Sequence, residues 1–221
     1  MTSTDAPRPV LFTRELLRFS VVCAIAALLP VFALPGDREW LRPVLWLGAV
    51  LVYRLLEQSV FRPSPVVGER VGEWLFPLTY VGVIGSFLLP PLEFALWPRP
   101  LSWPVMSAGF ALVLVGTWLR YRAIDALGEH LSTHVEIRPG HKLVDHGPFR
   151  YVRNPGSTGA LLFMLGAALI LHGYLSIIYI VGFLGTVLFI RMNVEERHSA
   201  EKLPGYREYM TRTKRVIPFI Y

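Results

Sequence analysis

Long blocks of apolar residues, separated by short polar segments, dominate the pattern along this 221-residue chain. A helix needs about 20 apolar residues to cross the ~30 Å hydrocarbon core of a bilayer. Backbone groups in lipid must be hydrogen-bonded within their own segment, so the blocks predict membrane-spanning helices. Four predicted spans precede a polar stretch at 120–154: Leu16–Leu34, Leu41–Phe61, Trp74–Leu96 and Trp103–Leu119.

One further apolar block, Gly156–Ile190, is too long for a single ordinary span. A His-Gly pair at 172–173 lies near its middle and is typical of a turn. We therefore predict a tight hairpin of two helices, Ser157–Leu171 and Tyr174–Ile190, in which Gly182 and Gly185 allow close helix approach. The predicted fold class is an all-α, polytopic transmembrane helical bundle with about six crossings, the last two forming the hairpin.

Basic residues are distributed unevenly between the two ends of the predicted helices. With six crossings, 18 of the 22 Lys and Arg residues lie on the side of the termini, whereas Arg38, Arg42 and Arg99 lie on the opposite side. Cytosolic segments carry the excess of positive charge, so both termini are predicted to be cytosolic, in the cytoplasmic membrane. Treating 156–190 as one tilted helix would give five crossings and an external basic tail, which this distribution disfavours. The net charge of +6 therefore requires no nucleic-acid partner.

The residue types exclude several kinds of site. Cys23 is the single cysteine, so neither an intramolecular disulfide nor a cysteine metal cluster can form. The histidines within 130–146 do not follow the zincin pattern, and no metal site is predicted. Neither a Rossmann nor a P-loop glycine motif occurs. Arg54 and Glu57 lie on one face of the second span and are predicted to form a local ion pair.

A dense polar segment, residues 141–155, separates the fourth span from the hairpin. Asn154 is predicted to cap the fifth helix and Pro155 to begin it. The free N–H groups of that helix end would favour a carboxylate or another anion. Arg150 and Arg153 are three residues apart and could bind one carboxylate together.

A second dense polar segment, residues 191–198, directly continues the last span. Because the hairpin returns the chain to the same membrane face, we expect Glu195 and Glu196 beside the arginines of the first segment. Such an arrangement suits a zwitterionic ligand, with arginine binding a carboxylate and glutamate binding hydroxyl or ammonium groups. The alternative is that these charges are topology signals at a solvated helix end.

The two segments carry spaced motifs that together are fairly specific. The first is H-x-L-V-x-x-G-P-F-R-Y-V-R-N-P-x-x-x-G at 141–159, and the second joins the Glu-Glu pair at 195–196 to G-Y-x-x-Y at 205–209 and R-V-x-P-F at 215–219. They resemble the signature of the isoprenylcysteine carboxyl methyltransferase family, which overlaps in motif with the phospholipid methyltransferases. That family typically has Arg-His-Pro-x-Tyr where this chain has asparagine at 154 and serine at 157.

The resemblance implies a membrane methyltransferase that uses S-adenosylmethionine and acts on a lipophilic small molecule or lipid. It divides the chain into N-terminal transmembrane helices, 1–122, and a methyltransferase-like region, 123–221, which includes a cytosolic cofactor-binding region. It favours Arg191 and Glu195 as the catalytic residues that orient the acceptor. The cofactor-binding residues that it implies are His141, Leu143, Val144, Gly147, Pro148, Tyr151, Arg153, Asn154 and Glu196.

The identity of the acceptor stays open among several chemical classes. A prenylcysteine-type carboxylate is the first expectation and needs no general base, whereas a phospholipid amine, a phenol or a thiol must lose a proton. Glu195, Glu196 and His146 are the candidate proton acceptors. Two other classes of protein are alternatives: a transporter with Arg54 and Glu57 along its path, or a non-catalytic membrane scaffold. The sequence predicts no oligomeric state.

Overall fold

The computed structural model describes residues 40–60, 69–128, 135–137 and 143–216, together with Val21 and Ile25. These residues are mainly helical, with two short strands and one 3-10 turn. The helices are α1 (Leu41–Val60), α2 (Leu75–Leu96), α3 (Trp103–Leu127), α4 (Pro155–Ile170), α5 (Tyr174–Lys202) and α6 (Tyr206–Arg212). The strands are β1 (Glu69–Val71) and β2 (Val135–Ile137), and the 3-10 turn is Gly147–Arg150.

Helices α2, α3 and α5 have the length and apolar composition needed to cross a membrane, and the shorter α4 is also apolar. Four exposed tryptophans lie near helix ends, with Trp40, Trp97 and Trp103 at one end of the bundle and Trp74 at the other, whereas the exposed Trp118 lies within α3. Tryptophan is enriched where a membrane protein meets the lipid–water boundary. The predicted all-α bundle and the integral membrane location are confirmed, while the number of crossings stays a prediction.

The helix boundaries follow the apolar pattern closely, with two extensions. Helix α3 continues to Leu127 rather than ending at Leu119, and α5 continues past Ile190 to Lys202. In both cases the added turns contain charged residues and continue an apolar span towards the two polar segments, 141–155 and 191–198. Of the predicted span Leu16–Leu34, only Val21 and Ile25 are described, and both are helical.

Helices α3 and α4 lie antiparallel with their backbones in contact. A Cβ atom added to Gly116 would lie 2.6 Å from the Gly159 carbonyl oxygen, and one added to Gly109 would lie 2.8 Å from that of Gly166. Only glycine fits such a contact, and small residues of this kind promote close packing of membrane helices. We call these four residues the glycine seam. The close approach predicted at Gly182 and Gly185 is wrong. In the described part of the chain nothing lies within 4 Å of a Cβ placed at Gly182, and a Cβ placed at Gly185 meets only the Ile180 carbonyl of its own helix, at 3.5 Å.

Helix α4 lies at the centre of the bundle and carries a fully buried ring of the core. Phe163 has no exposed surface. It stacks on Tyr53 of α1, with ring centroids 3.9 Å apart, and meets Phe87 of α2 at 6.1 Å. Helices α1 and α2 therefore converge on one side chain of α4, and this packing fixes the position of α4 in the bundle.

A buried carboxylate closes the bundle at the end remote from the site. Glu93 of α2 accepts hydrogen bonds from Arg99 Nη1 at 2.8 Å and from the Ser176 N–H at 2.8 Å, and so caps the start of α5. Arg99 Nη1 also donates to the His172 carbonyl at 2.6 Å. His172 has a φ of 57°, in the left-handed region. The predicted turn between the two helices of the hairpin is thereby confirmed.

Two short strands form an antiparallel ribbon that the sequence did not predict. Glu69 pairs with Ile137, and Val71 pairs with Val135. Strand β2 packs against α5. The ribbon thus lies over the polar part of that helix, within a stretch that we predicted only as a connection.

Candidate functional site

The first polar segment ends as the sequence predicted. Asn154 is the N-cap residue of α4 and Pro155 is its first helical residue. The Asn154 side chain, however, does not cap the helix. Its amide donates instead to Glu196 Oε1 at 3.0 Å and to the Arg215 carbonyl at 3.3 Å. The cap residue therefore joins the two polar segments and leaves the first turn of α4 without a side-chain acceptor.

Glu196 of α5 is the centre of this junction, and only 3% of its side chain is exposed. Arg153 donates to it through Nε at 3.1 Å and through Nη2 at 3.4 Å. Arg215 donates through Nε at 3.2 Å and through Nη2 at 2.8 Å. We call Arg153, Asn154, Glu196 and Arg215 the Glu196 cluster. Two guanidinium groups and one amide thus surround a single carboxylate, an arrangement of strong charge-assisted hydrogen bonds.

The C-terminal tail is bound to the first polar segment through its backbone. The Arg153 N–H donates to the Lys214 carbonyl at 2.8 Å, and Arg153 Nη1 donates to the Thr213 carbonyl at 2.6 Å. The Tyr209 hydroxyl donates to the Phe149 carbonyl at 2.7 Å. Residues 206–216 therefore close over the segment that begins α4, and Glu196 lies beneath them.

Two tyrosines of the tail have altered acidity. Burial raises the pKa of the Tyr209 phenol to about 12. Burial also raises the pKa of the Tyr206 phenol, and the negative charges of Glu196 and Glu195 add to that rise. Both hydroxyl groups therefore keep their protons at neutral pH. Tyr206 consequently presents a phenolic hydrogen-bonding group in the field of both glutamates.

Arg191 and Glu195, the predicted catalytic pair, are paired with one another. Arg191 Nε lies 3.1 Å from Glu195 Oε1, one helical turn apart on α5. The Glu195 side chain is 33% exposed, whereas that of Glu196 is almost completely buried. The adjacent glutamates thus differ in environment: Glu196 lies among arginines inside the fold, and Glu195 is accessible at its edge.

The remaining predicted residues lie along the first segment. Gly147 and Pro148 form the 3-10 turn, Leu143 and Val144 are half-buried, and Tyr151 is exposed. His141 lies outside the described residues.

Arg150 and Arg153, which were expected to bind one carboxylate together, do not share a carboxylate in the described structure. Arg150 is exposed, whereas Arg153 turns inward to Glu196 and to the carbonyls of Met210 and Thr213.

The sequence did not predict two arginine contacts, that of Arg120 with Glu57 and that of Arg215 with Glu196. The local ion pair between Arg54 and Glu57 is confirmed. Arg120 of α3 also donates to Glu57 Oε1, through Nε at 2.9 Å and Nη2 at 2.8 Å. Arg215 similarly completes the Glu196 cluster from the tail. Neither partner could be found by local spacing, although Arg215 belongs to the R-V-x-P-F motif.

The geometry defines a class of protein, namely a helical membrane protein with a closed, ion-paired polar site at one end of its apolar helices. Residues 105–204 match the phospholipid methyltransferase family. This range contains every predicted site residue, including Arg153 and Glu196, but ends before Arg215.

Three relatives extend this comparison. A probable protein-S-isoprenylcysteine O-methyltransferase of Oryza sativa subsp. japonica is 28% identical over 121 residues, which cover 53% of this chain and 63% of the relative. Protein-S-isoprenylcysteine O-methyltransferase B of Arabidopsis thaliana is 28% identical over 122 residues, 53% of this chain and 61% of the relative. An uncharacterized protein, YpbQ, of Bacillus subtilis (strain 168) is 26% identical over 159 residues, 69% of this chain and 94% of the relative.

The chain thus spans less than two thirds of the length of the plant relatives that it matches. Together, these matches confirm the resemblance inferred from the motifs, to an isoprenylcysteine-carboxyl-methyltransferase-like family.

Proposed function

We propose that this chain is an integral membrane methyltransferase that transfers a methyl group from S-adenosylmethionine to a lipophilic acceptor. The observation that carries the proposal is the Glu196 cluster, which joins both motif segments at the polar ends of apolar helices. The family match of residues 105–204 and the names of the plant relatives support it. We place the site at the cytosolic face of the cytoplasmic membrane, with both termini cytosolic, because the basic residues concentrate on that side.

The polar groups of the site fit the chemistry of this donor. The donor supplies a methyl group on a sulfonium and also bears a carboxylate, an ammonium, a ribose and an adenine. The exposed ring of Tyr151 can attract a cation, and the accessible Glu195 can accept hydrogen bonds from ammonium or hydroxyl groups. The first turn of α4, which lacks a side-chain cap, suits a carboxylate.

We assign two kinds of role to the proposed donor-binding residues. Arg153, Asn154 and Glu196 donate to or accept from protein groups, so we infer that they hold the wall of the pocket in place. Precise placement of the reacting groups lowers the barrier to a displacement of this type. The proposed direct contacts are His141, Leu143, Val144, Gly147, Pro148 and Tyr151.

For the acceptor, we favour a prenylcysteine-type carboxylate. Transfer then breaks the sulfonium C–S bond, forms a C–O ester bond and leaves a neutral thioether, without any proton transfer. Arg191 follows the continuous apolar run of α5, which ends at Ile190, and its guanidinium can orient a carboxylate at the membrane boundary. A phospholipid amine is the second candidate because of the family that residues 105–204 match, and Glu195 would accept its proton.

The two proposed regions, 1–122 and 123–221, meet at Arg120 as well as at the core. Glu57 of α1 binds Arg120, which lies near the start of α4: a Cβ added to Gly156 would be 3.1 Å from Arg120 Nη1. We propose that the lipophilic acceptor enters from the bilayer, between the N-terminal helices and the hairpin.

Calorimetric titration of the purified, detergent-solubilised protein with S-adenosylmethionine tests the proposal. We expect saturable binding by the wild type, and a similar donor affinity in Arg191→Ala, which removes the proposed acceptor contact and leaves the Glu195 carboxylate in place. Well-folded protein that does not bind the donor would defeat the proposal. In native membranes given methyl-labelled donor, label that base releases as methanol identifies an ester, whereas base-stable label in phospholipid identifies an amine.

A further inference from the structure

His198 is a buried polar residue beside the site, and the proposed reaction assigns it no role. It lies on α5 and is only 7% exposed. Its Nε2 atom is fully buried and has no hydrogen-bond partner in the described structure. Buried polar groups in folded proteins are nearly always hydrogen-bonded, and an orphaned one needs an explanation such as a ligand or a water. Among the described residues, His198 Nε2 is the one such atom on the polar part of α5.

The helix spacing sets the side of α5 on which His198 lies. Arg191 and Glu195 share one face, as their ion pair shows. Residues three or four apart on a helix are neighbours, so His198 adjoins Glu195 and Val194. A Cβ added to Gly72 would lie 3.3 Å from Val194 Cγ1, so this side meets the chain that extends from β1. His198 therefore lies where α5 meets the ribbon, next to the accessible glutamate.

His198 and the proposed acceptor lie at different depths relative to the membrane. Arg191 adjoins the apolar part of the helix, where the reactive group of a lipophilic acceptor must lie. A helix rises 1.5 Å per residue, so His198 lies about 10 Å further from the membrane. A donor whose methyl group is near Arg191 must extend its polar body away from the lipid, towards His198.

We propose that His198 binds the nucleoside half of the methyl donor, through a hydrogen bond from or to Nε2. This proposal rests on the proposed function, since it requires a nucleoside-containing donor. Neutral imidazole offers either an N–H or a lone pair at Nε2, according to its tautomer. The adenine edge and the ribose hydroxyls each present groups that match one of these forms. The motif resemblance did not assign this role to His198.

Two variants of the full chain separate binding from folding. His198→Leu keeps a similar volume without the polar atom, whereas His198→Gln places an amide nitrogen near the position of Nε2. Each is titrated calorimetrically with S-adenosylmethionine and with 5′-methylthioadenosine, which contains the nucleoside half alone. We expect His198→Leu to weaken binding of both ligands about tenfold, as loss of one buried hydrogen bond does, and His198→Gln to retain most of the affinity. Ser199→Ala, the adjacent control, should bind as the wild type does.

Thermal unfolding without ligand supplies a second readout. Because leucine removes an unpartnered buried polar atom, His198→Leu should unfold at a temperature no lower than the wild type. Unchanged affinity of His198→Leu for both ligands would overturn the proposal. Weakening confined to S-adenosylmethionine would also overturn it, because His198 would then face the aminoacyl half. Equal losses of affinity and melting temperature in both variants would indicate a structural role. A wild type that binds neither ligand would refute the proposed function itself, and this inference with it.

Discussion

Replacing Glu196 with glutamine is the most informative single perturbation of the site. The change removes one charge and keeps the size of the side chain. It leaves the guanidinium groups of Arg153 and Arg215 together without their common carboxylate, with side chains that are only 10% and 18% exposed. The glutamine amide would also place N–H donors against the donors of Asn154. The Glu196 cluster would thus contain unmatched donors and excess positive charge.

The magnitude follows from the burial of the partners. Removing one member of a buried ion pair costs about 3–5 kcal/mol, because the other member stays buried without compensation. Arg153 keeps its bonds to the carbonyls of Met210 and Thr213, which favours the lower end, about 3 kcal/mol. For a chain of this size, each kcal/mol lowers the melting temperature by roughly 2–4 °C. We therefore expect Glu196→Gln to melt about 6–12 °C below the wild type.

Glu195→Gln is the matched control, since it makes the same chemical change one residue away. The Arg191–Glu195 pair is partly exposed, and such pairs contribute about 0–1 kcal/mol. Thermal unfolding of both variants in the same detergent compares them. Limited proteolysis then follows the tail, which should become accessible after residue 203 in Glu196→Gln alone. Equal melting temperatures for the two variants, or an equally protected tail, would refute the cluster as the contact that holds the tail.

Three further predictions concern the bundle and its orientation. Gly116→Ala, at the glycine seam, should destabilise the protein by about 1–3 kcal/mol in thermal unfolding, because its Cβ would meet the α4 backbone. Gly48→Ala is the control, since Gly48 has open space around it, and should stabilise α1 by about 0.5–1 kcal/mol. Equal effects of the two substitutions on stability would disprove the seam. Glu57→Gln should cost about 1–3 kcal/mol by weakening the contacts to Arg120, and a melting temperature identical to that of the wild type would contradict the role of this pair in joining α1 to α3. A cysteine placed at Ser199 should react with an impermeant thiol reagent only from the cytosolic side, and reaction from outside would support five crossings.

Much of the fold follows from local sequence signals. The apolar blocks gave the positions of α1, α2 and the hairpin, and the Asn-Pro pair at 154–155 gave the start of α4. The hairpin geometry also predicted that Glu196 would lie beside Arg153. These features depend on helix length, capping and turn chemistry, which act between neighbours in the sequence.

The missed features depend on contacts between residues far apart in the chain. Arg215 reaches Glu196 only because the tail folds back over the first segment, and Arg120 reaches Glu57 only because α1 and α3 pack side by side. The ribbon pairs strands more than sixty residues apart, too short to show a pattern of their own. The glycine seam did have a signal, because its two glycines in each helix are seven residues apart and so share a face.

Methyl transfer to a lipophilic acceptor is the central claim, and one reaction tests it directly. The purified protein, reconstituted in lipid vesicles, is incubated with methyl-labelled S-adenosylmethionine and an N-acetylated, S-prenylated cysteine. We expect label in the lipophilic fraction that base releases as methanol, at a rate strongly reduced by Arg191→Ala. Protein that binds the donor but labels neither this acceptor nor any vesicle lipid would contradict it.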